Sequence, residues 1–217
     1  YFAYGKLAWA PDADIMAVAA DWIRLTLPAI SEATGQALLQ ILLTSWQTYE
    51  AYTAPLGIGW MVRPGTHYGP AVDGYEYDRW GTYHRADHWG LGVERGPQGT
   101  GFSELYPEPL AALYRSAETC PDELTLFFHY RRYTDQLHSG KTIIQHIYDS
   151  HFEGAAAAEA YWQTWRSLRS ELDPALYARV ERRLERQTAN AREWRDQINS
   201  YFWRKSAIAD PKGRVIY

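Results

Sequence analysis

His84, Asp87 and His88 lie within five residues, and His67 precedes His84 by seventeen, so imidazole and carboxylate groups of the kind that ligate zinc or iron are gathered in one stretch. The usual companions of such a site are missing, since the chain has neither a His-Glu-x-x-His helix nor a pair of cysteines. The favoured reading is that these imidazoles hydrogen-bond within their loop or to a ligand, with no metal and no other cofactor. Asp73, Glu76, Asp78, Asp87 and Glu94 are numerous enough for the acid and base of a glycosidase, but Asp is also an ordinary turn residue, and solvated turn carboxylates are the expectation. Trp60, Trp80 and Trp89 offer flat apolar faces with an N–H donor, which suits stacking on a sugar ring. Neither a phosphate-cradling glycine loop ending in Lys-Ser/Thr nor a Gly-x-Ser-x-Gly nucleophile turn occurs.

These residues share the segment from Leu56 to Tyr106, which holds eleven of the sixteen glycines and has little helical periodicity. Such a stretch between helical flanks reads as an ordered loop region, residues 56–106, built for a polar ligand. The flanks follow helical spacing. Asp12 or Asp14 caps a helix to about Leu27, and a second helix, broadly apolar and so expected to be central, runs from about Ser31 to Tyr52. Two shorter helices are expected from Pro107 to about Ser116 and from Asp122 to about Arg132. Ser139 is read as the cap of a long helix bent at Gly154, and Asp173-Pro174 as the start of another reaching about Lys205. On the latter, Tyr177, Val180, Leu184, Gln187, Ala191, Trp194, Ile198 and Tyr201 make a heptad seam, filled either within the domain or by a second copy. The fold expected is mainly α: a helical domain with a long αα-hairpin over 139–205 and an extended Gly/aromatic-rich loop region.

The totals narrow the function classes. At 217 residues, 46% apolar and 22% charged, the chain is long enough for a sizeable core. A net charge of −4 gives no overall attraction for nucleic acid or anionic lipid, and the ten basic residues from Arg166 to Lys205 are interleaved with six acidic ones, as on a solvated helix face. Neither nucleic acid nor membrane is therefore expected as a partner. Cys120 is the single cysteine, and neither a signal segment nor a long apolar run is seen, which favours the cytoplasm. The missing initiator Met and the start in mid-pattern at Tyr1–Trp9 suggest a fragment of a longer polypeptide, whose true N-terminus could still direct export.

Several stretches are familiar in order: 53–62 (Thr53-Ala54-Pro55-Leu56-Gly57-Ile58-Gly59-Trp60-Met61-Val62), His67-Tyr68-Gly69-Pro70, and Trp80-Gly81-Thr82-Tyr83-His84-Arg85-Ala86-Asp87. With Glu118-Thr119-Cys120-Pro121, Leu126-Phe127-Phe128-His129, Ser139-Gly140-Lys141-Thr142-Ile143-Ile144-Gln145-His146-Ile147-Tyr148 and Glu193-Trp194-Arg195-Asp196, they resemble the C-terminal domain of family-67 α-glucuronidases across residues 1–217. The resemblance implies an enzyme that removes (4-O-methyl-)glucuronic acid from glucuronoxylo-oligosaccharides with inversion. It implies an upstream β-sandwich and (β/α)8 barrel, absent from this chain, with the catalytic carboxylates on the barrel and none here. The implied roles of this domain are packing on the barrel, homodimer contacts, and an aromatic pocket wall. By position in the motifs, Trp80 is the candidate for that wall, followed by Trp60, with His67, Tyr68, Tyr83 and His84 as neighbours. Arg85 or Arg63 is suited to the glucuronate carboxylate, a role that the barrel could equally supply. A stand-alone carbohydrate-binding module and a purely structural dimerisation domain are the alternatives.

Overall fold

A computed structural model of the protein describes residues 1–59, 61–75 and 84–216. In chain order it comprises α1 (Phe2–Trp9), α2 (Ile15–Thr26), α3 (Glu32–Thr53), β1 (Gly90–Leu91), α4 (Leu110–Tyr114), α5 (Thr125–Phe128), β2 (Arg131–Arg132), α6 (Ile143–Ser167) and α7 (Pro174–Ser206), joined by loops and short 3-10 turns. The described residues are thus mainly α-helical, with one two-stranded antiparallel ribbon. Two compact units divide them: Tyr1–Tyr49 with Ala156–Ala189, and Glu50–Ala155 with Asn190–Tyr217. None of the helices described is long and apolar enough to cross a membrane.

In the first unit the caps are as the sequence suggests. The Asp14 carboxylate accepts from the Met16 amide at 3.0 Å, and Asp173 from the Leu176 amide at 2.8 Å. Ile23, Leu38, Trp165, Leu168, Leu172 and Tyr177 form the core, with the Trp165 and Tyr177 rings stacked 6.1 Å apart and the Trp165 indole N–H donating to the Tyr177 carbonyl. α3 is less central than its composition suggests. Its inward side is partly polar, with the Thr44 and Thr48 hydroxyls 2.6 and 2.7 Å from the Tyr161 hydroxyl, while Leu42, Trp46 and Tyr49 are exposed at successive helical turns. α1 is a helix that the sequence reading did not foresee; it has no side-chain cap and no buried residue.

The second unit positions the loops. Tyr52, Leu56, Ile58, Leu91, Leu126, Phe128, Ile143, Ile147, Tyr148, Ile198 and Phe202 are buried there. Ser139 is not the cap of α6. Its amide goes to Asp122 in a turn containing Gly140 (φ 81°), and the helix starts at Ile143, with the Gln145 amide donating to the Thr142 hydroxyl. Gly154 serves close packing, and α6 continues through it: a Cβ there would lie 2.8 Å from the Tyr52 amide nitrogen at the end of α3. The helix expected over 122–132 stops at Phe128, because Arg131 and Arg132 are drawn into the ribbon opposite Leu91 and Gly90. Gly92 makes that approach possible, since its φ is 99° and a Cβ would sit 2.2 Å from the His129 carbonyl oxygen. The α7 seam is filled within the chain: Ala191, Trp194, Ile198 and Tyr201 are all buried without a second copy.

Candidate functional site

Within the second unit, Leu56, Ile58 and Met61 are almost fully buried and anchor the start of the loop region. From there the chain makes a narrow ribbon. The Ala71 amide donates to the Met61 carbonyl (2.9 Å) and the Arg63 amide to that of Gly69 (3.1 Å), with Val62 and Pro70 in an antiparallel bridge. The tip, residues 64–68, is exposed. It displays His67 and Tyr68, and His67 sits at φ 52° with its ring 6.2 Å from that of Tyr75. Leu56 (φ 61°) and Arg85 (φ 37°) are also held in the left-handed region, an arrangement that ordinary side chains adopt only when their surroundings impose it. Arg63 reaches Glu193 on α7 at 3.2 Å, an exposed pair that costs little to break if a ligand carboxylate competes for the guanidinium.

His84 has the opposite character. It is 2% exposed, its ring meets that of Tyr201 edge-on at 6.1 Å, and its Nε2 has no hydrogen-bond partner among the described residues. Burial pushes its pKa down to about 4; Lys205 adds to this, while Asp73 and the Gly59 and Val72 carbonyls pull the other way. The ring is therefore neutral near pH 7. Asp87 is a turn residue. Its Oδ1 accepts from the Trp89 amide (2.7 Å), the Gly90 amide (2.9 Å) and the Tyr130 hydroxyl (2.8 Å), which outweigh burial and hold the carboxyl below its usual range. Its backbone carbonyl accepts from the Tyr133 hydroxyl. Trp89 is 65% exposed, its ring 4.9 Å from that of His88.

The structure thus separates the imidazoles: His67 and His88 are exposed, His84 is buried, and among the described residues no three His, Cys, Asp or Glu side chains gather as metal ligands. Of the other sequence candidates, Tyr68 and Arg85 are exposed, while Trp60, Trp80 and Tyr83, with Glu76 and Asp78, lie outside the described residues. The carboxylate of Asp87 is committed to its turn, and Glu94 Oε1 accepts from the Gly96 amide at 2.8 Å. Sequence reasoning missed Tyr130 and Lys205, and it quoted Glu193 in a motif without a link to Arg63; all three reach this region from elsewhere in the chain, and Tyr130 directly follows the quoted Leu126–His129 motif, the one signal that pointed toward it. What the described groups offer is recognition chemistry: exposed aromatic and imidazole rings beside a releasable guanidinium.

A family profile described as "Glycosyl hydrolase family 67 C-terminus" matches residues 1–215. The chain belongs to glycosyl hydrolase family 67, as its C-terminal domain. This family-67 domain is 43% identical over 218 residues to the "Probable alpha-glucuronidase A" of Neosartorya fischeri, covering 100% of the chain and 26% of that relative. It is 43% identical over 216 residues to the protein of the same name in Aspergillus fumigatus and 40% identical to the "Alpha-glucuronidase A" of Aspergillus tubingensis, in each case covering 99% of the chain and 26% of the relative. The family-67 domain therefore spans about a quarter of the length of the curated relatives it matches.

Proposed function

We propose that this domain serves an α-glucuronidase that removes (4-O-methyl-)glucuronic acid from glucuronoxylo-oligosaccharides with inversion. The observation that carries this reading is the 43% identity, along the whole chain, to proteins named as α-glucuronidases. In this reading the catalytic carboxylates come from an upstream barrel against which the domain packs, and the loop region supplies one wall of the glucuronate pocket. Trp80 is the stacking residue, with Trp60 next, and His67, Tyr68, Tyr83 and His84 are neighbours. Arg85, or Arg63 released from Glu193, meets the sugar carboxylate. The strained, exposed presentation of His67 and Arg85 supports a recognition role. The single buried cysteine needs no oxidising compartment, which favours the cytoplasm, with export as the alternative.

Hydrolysis assays test this. The 217-residue chain alone should release no 4-O-methylglucuronic acid from aldouronic acids, and a polypeptide that also carries the upstream segments should release it. In that longer enzyme Trp80→Ala should lower kcat/KM by about tenfold, the scale of one lost aromatic contact. Turnover by the chain alone would place the chemistry wrongly, and unchanged kinetics in the Trp80 variant would remove it from the wall.

One observation favours a homodimer contact on the first unit. With the α7 seam filled internally, α1–α3 still present an apolar surface: Trp9, Trp46, Tyr49 and Leu42 are exposed, and Tyr1, Phe2, Ile15, Trp22 and Leu43 line a hollow of about 400 Å3. A second copy seated there should be lost in a Trp46→Ser, Leu42→Ser variant. Sedimentation should then show dimer converting to monomer, and an unchanged mass would assign this face to the barrel instead.

A further inference from the structure

Two adjoining hollows in the second unit, of about 340 and 600 Å3, share Ala117, Glu118 and Tyr130 in their walls. Each is within the range of small-molecule sites, about 300–1,000 Å3. Their polar groups are already fixed. The Arg131 guanidinium, 14% exposed, donates to the Thr125 hydroxyl and the Gln136 carbonyl, both at 3.0 Å. The Ser116 hydroxyl donates to Glu118 at 2.6 Å. His129 is buried with Nδ1 3.4 Å from the Glu94 carboxylate and with Nε2 lacking a hydrogen-bond partner among the described residues. Tyr130 is anchored by its hydroxyl to Asp87, yet remains 36% exposed.

Preorganised donors and acceptors beside a partly exposed, anchored ring suit a sugar, which offers a C–H face and a rim of hydroxyls. Charge selects the kind of sugar. Arg131 is matched by Asp135, His138 by Asp122, His129 faces Glu94 at 3.4 Å, and Arg115 is engaged by Glu104 and Glu108 at 2.9 and 3.1 Å, which leaves the Glu118 carboxylate, shared by both hollows, with no ion pair among the described residues. A uronate entering here would meet like charge, whereas a neutral pentose chain would not.

We propose that this cleft is a second saccharide site that takes the neutral xylo-oligosaccharide backbone, separate from the glucuronate pocket. The identity of the sugar rests on the xylan reading above. The cleft itself holds no acid/base task; its role is to retain substrate chain.

Calorimetric titration of the chain with xylotetraose and with aldotetraouronic acid tests the proposal, repeated on Tyr130→Ala and Glu118→Ala with thermal unfolding as the check on folding. Xylotetraose should bind, and each variant should weaken it about fivefold or more, the scale of one lost hydrogen bond or ring contact. The acidic sugar should bind no more tightly than the neutral one. Absence of xylotetraose binding at about 10 mM, equal affinity in the two folded variants, or tighter binding of the acidic sugar through the same residues would each overturn the cleft. None of these results touches the hydrolysis assay of the longer enzyme, so failure of the cleft and failure of the α-glucuronidase reading are separable.

Discussion

Asp149→Ala should destabilise the second unit by about 3 kcal/mol, a fall of roughly 6–12 °C in Tm for a chain of this size, and should free the C-terminal segment after α7. The Asp149 side chain is 2% exposed, and three cations converge on it: Lys141 and Lys212 at 2.8 Å and Arg214 at 2.6 Å. The Gln145 amide adds a fourth donor at 2.8 Å. Burial opposes the charge, but these donors win, and the carboxyl is held well below the usual range. Removing it strands donors that come from the start of α6 and from the segment after α7. Arg214 keeps Asp210 at 2.7 Å, and both lysines retain water, which is why the cost stays near the lower end for a broken buried ion network. Other ties of the segment include the Tyr148 hydroxyl to the Ile208 carbonyl, the Asp210 turn, and the Arg214 guanidinium over the Phe152 ring at 4.4 Å. Hydrogen exchange should therefore rise in residues 207–216 before it rises elsewhere. A Tm within about 2 °C of the parent would show that the lysines are solvated well enough to make the cluster dispensable.

That network illustrates what the sequence could and could not show. Local signals were legible: Asp14 and the Asp173-Pro174 pair open α2 and α7 as their chemistry demands, and the spacing from Tyr177 to Tyr201 marks a buried seam. What failed were places where a distant partner overrides local preference. Ser139 is a good cap by type, but Asp122 claims its amide and Thr142 takes the capping role. Arg131 and Arg132 would continue a helix, but pairing with Gly90 and Leu91 recruits them into a ribbon. The outward stripe of α3 escaped because apolar count was read as burial, whereas Thr44 and Thr48 occupy the inner face through Tyr161. α1 lacks both a polar cap and a buried face, so neither signal existed to be read.

The same limit governs the site. Glycine and aromatic content pointed to residues 56–106 as the region of interest, and the motifs named individual candidates. Composition carries no information about what holds a loop, however. Glu193 reaches Arg63 across 130 residues, and Tyr130 reaches Asp87 across 43. Asp87, a metal or acid/base candidate by type, is consumed by its turn, and the nearby imidazoles are divided between surface and interior. Residue type therefore only nominates a region, while burial and partner geometry decide which side chains are available to a ligand.

Acid should destabilise this domain through its buried imidazoles while the Asp149 and Asp210 carboxylates are still ionised. His84 and His151 are 2% and 0% exposed, and burial lowers both from 6.5 to about 4. For His151 the Ile147 carbonyl at 2.7 Å opposes that shift without overcoming it. A lowered histidine pKa means that the unfolded chain takes up a proton first. Stability from these two groups is then complete above about pH 6.5, is lost as pH falls toward 4, and changes no further below that. At about pH 5 each should contribute a loss of about 2 kcal/mol relative to neutral pH, so the pair removes about 4 kcal/mol. His146 is lowered in the same direction, chiefly by burial and then by Lys141. Asp149 and Asp210 remain ionised at that pH, because their partners hold both carboxyls below the usual range. Urea unfolding at about pH 7.5 and 5 measures the slope, and His151→Leu should reduce it by nearly one bound proton, since an apolar side chain there has nothing to titrate. The same slope in the His151 variant and in a folded His84→Leu variant would mean that acid acts elsewhere, and the buried imidazoles would lose their place as the source of acid lability.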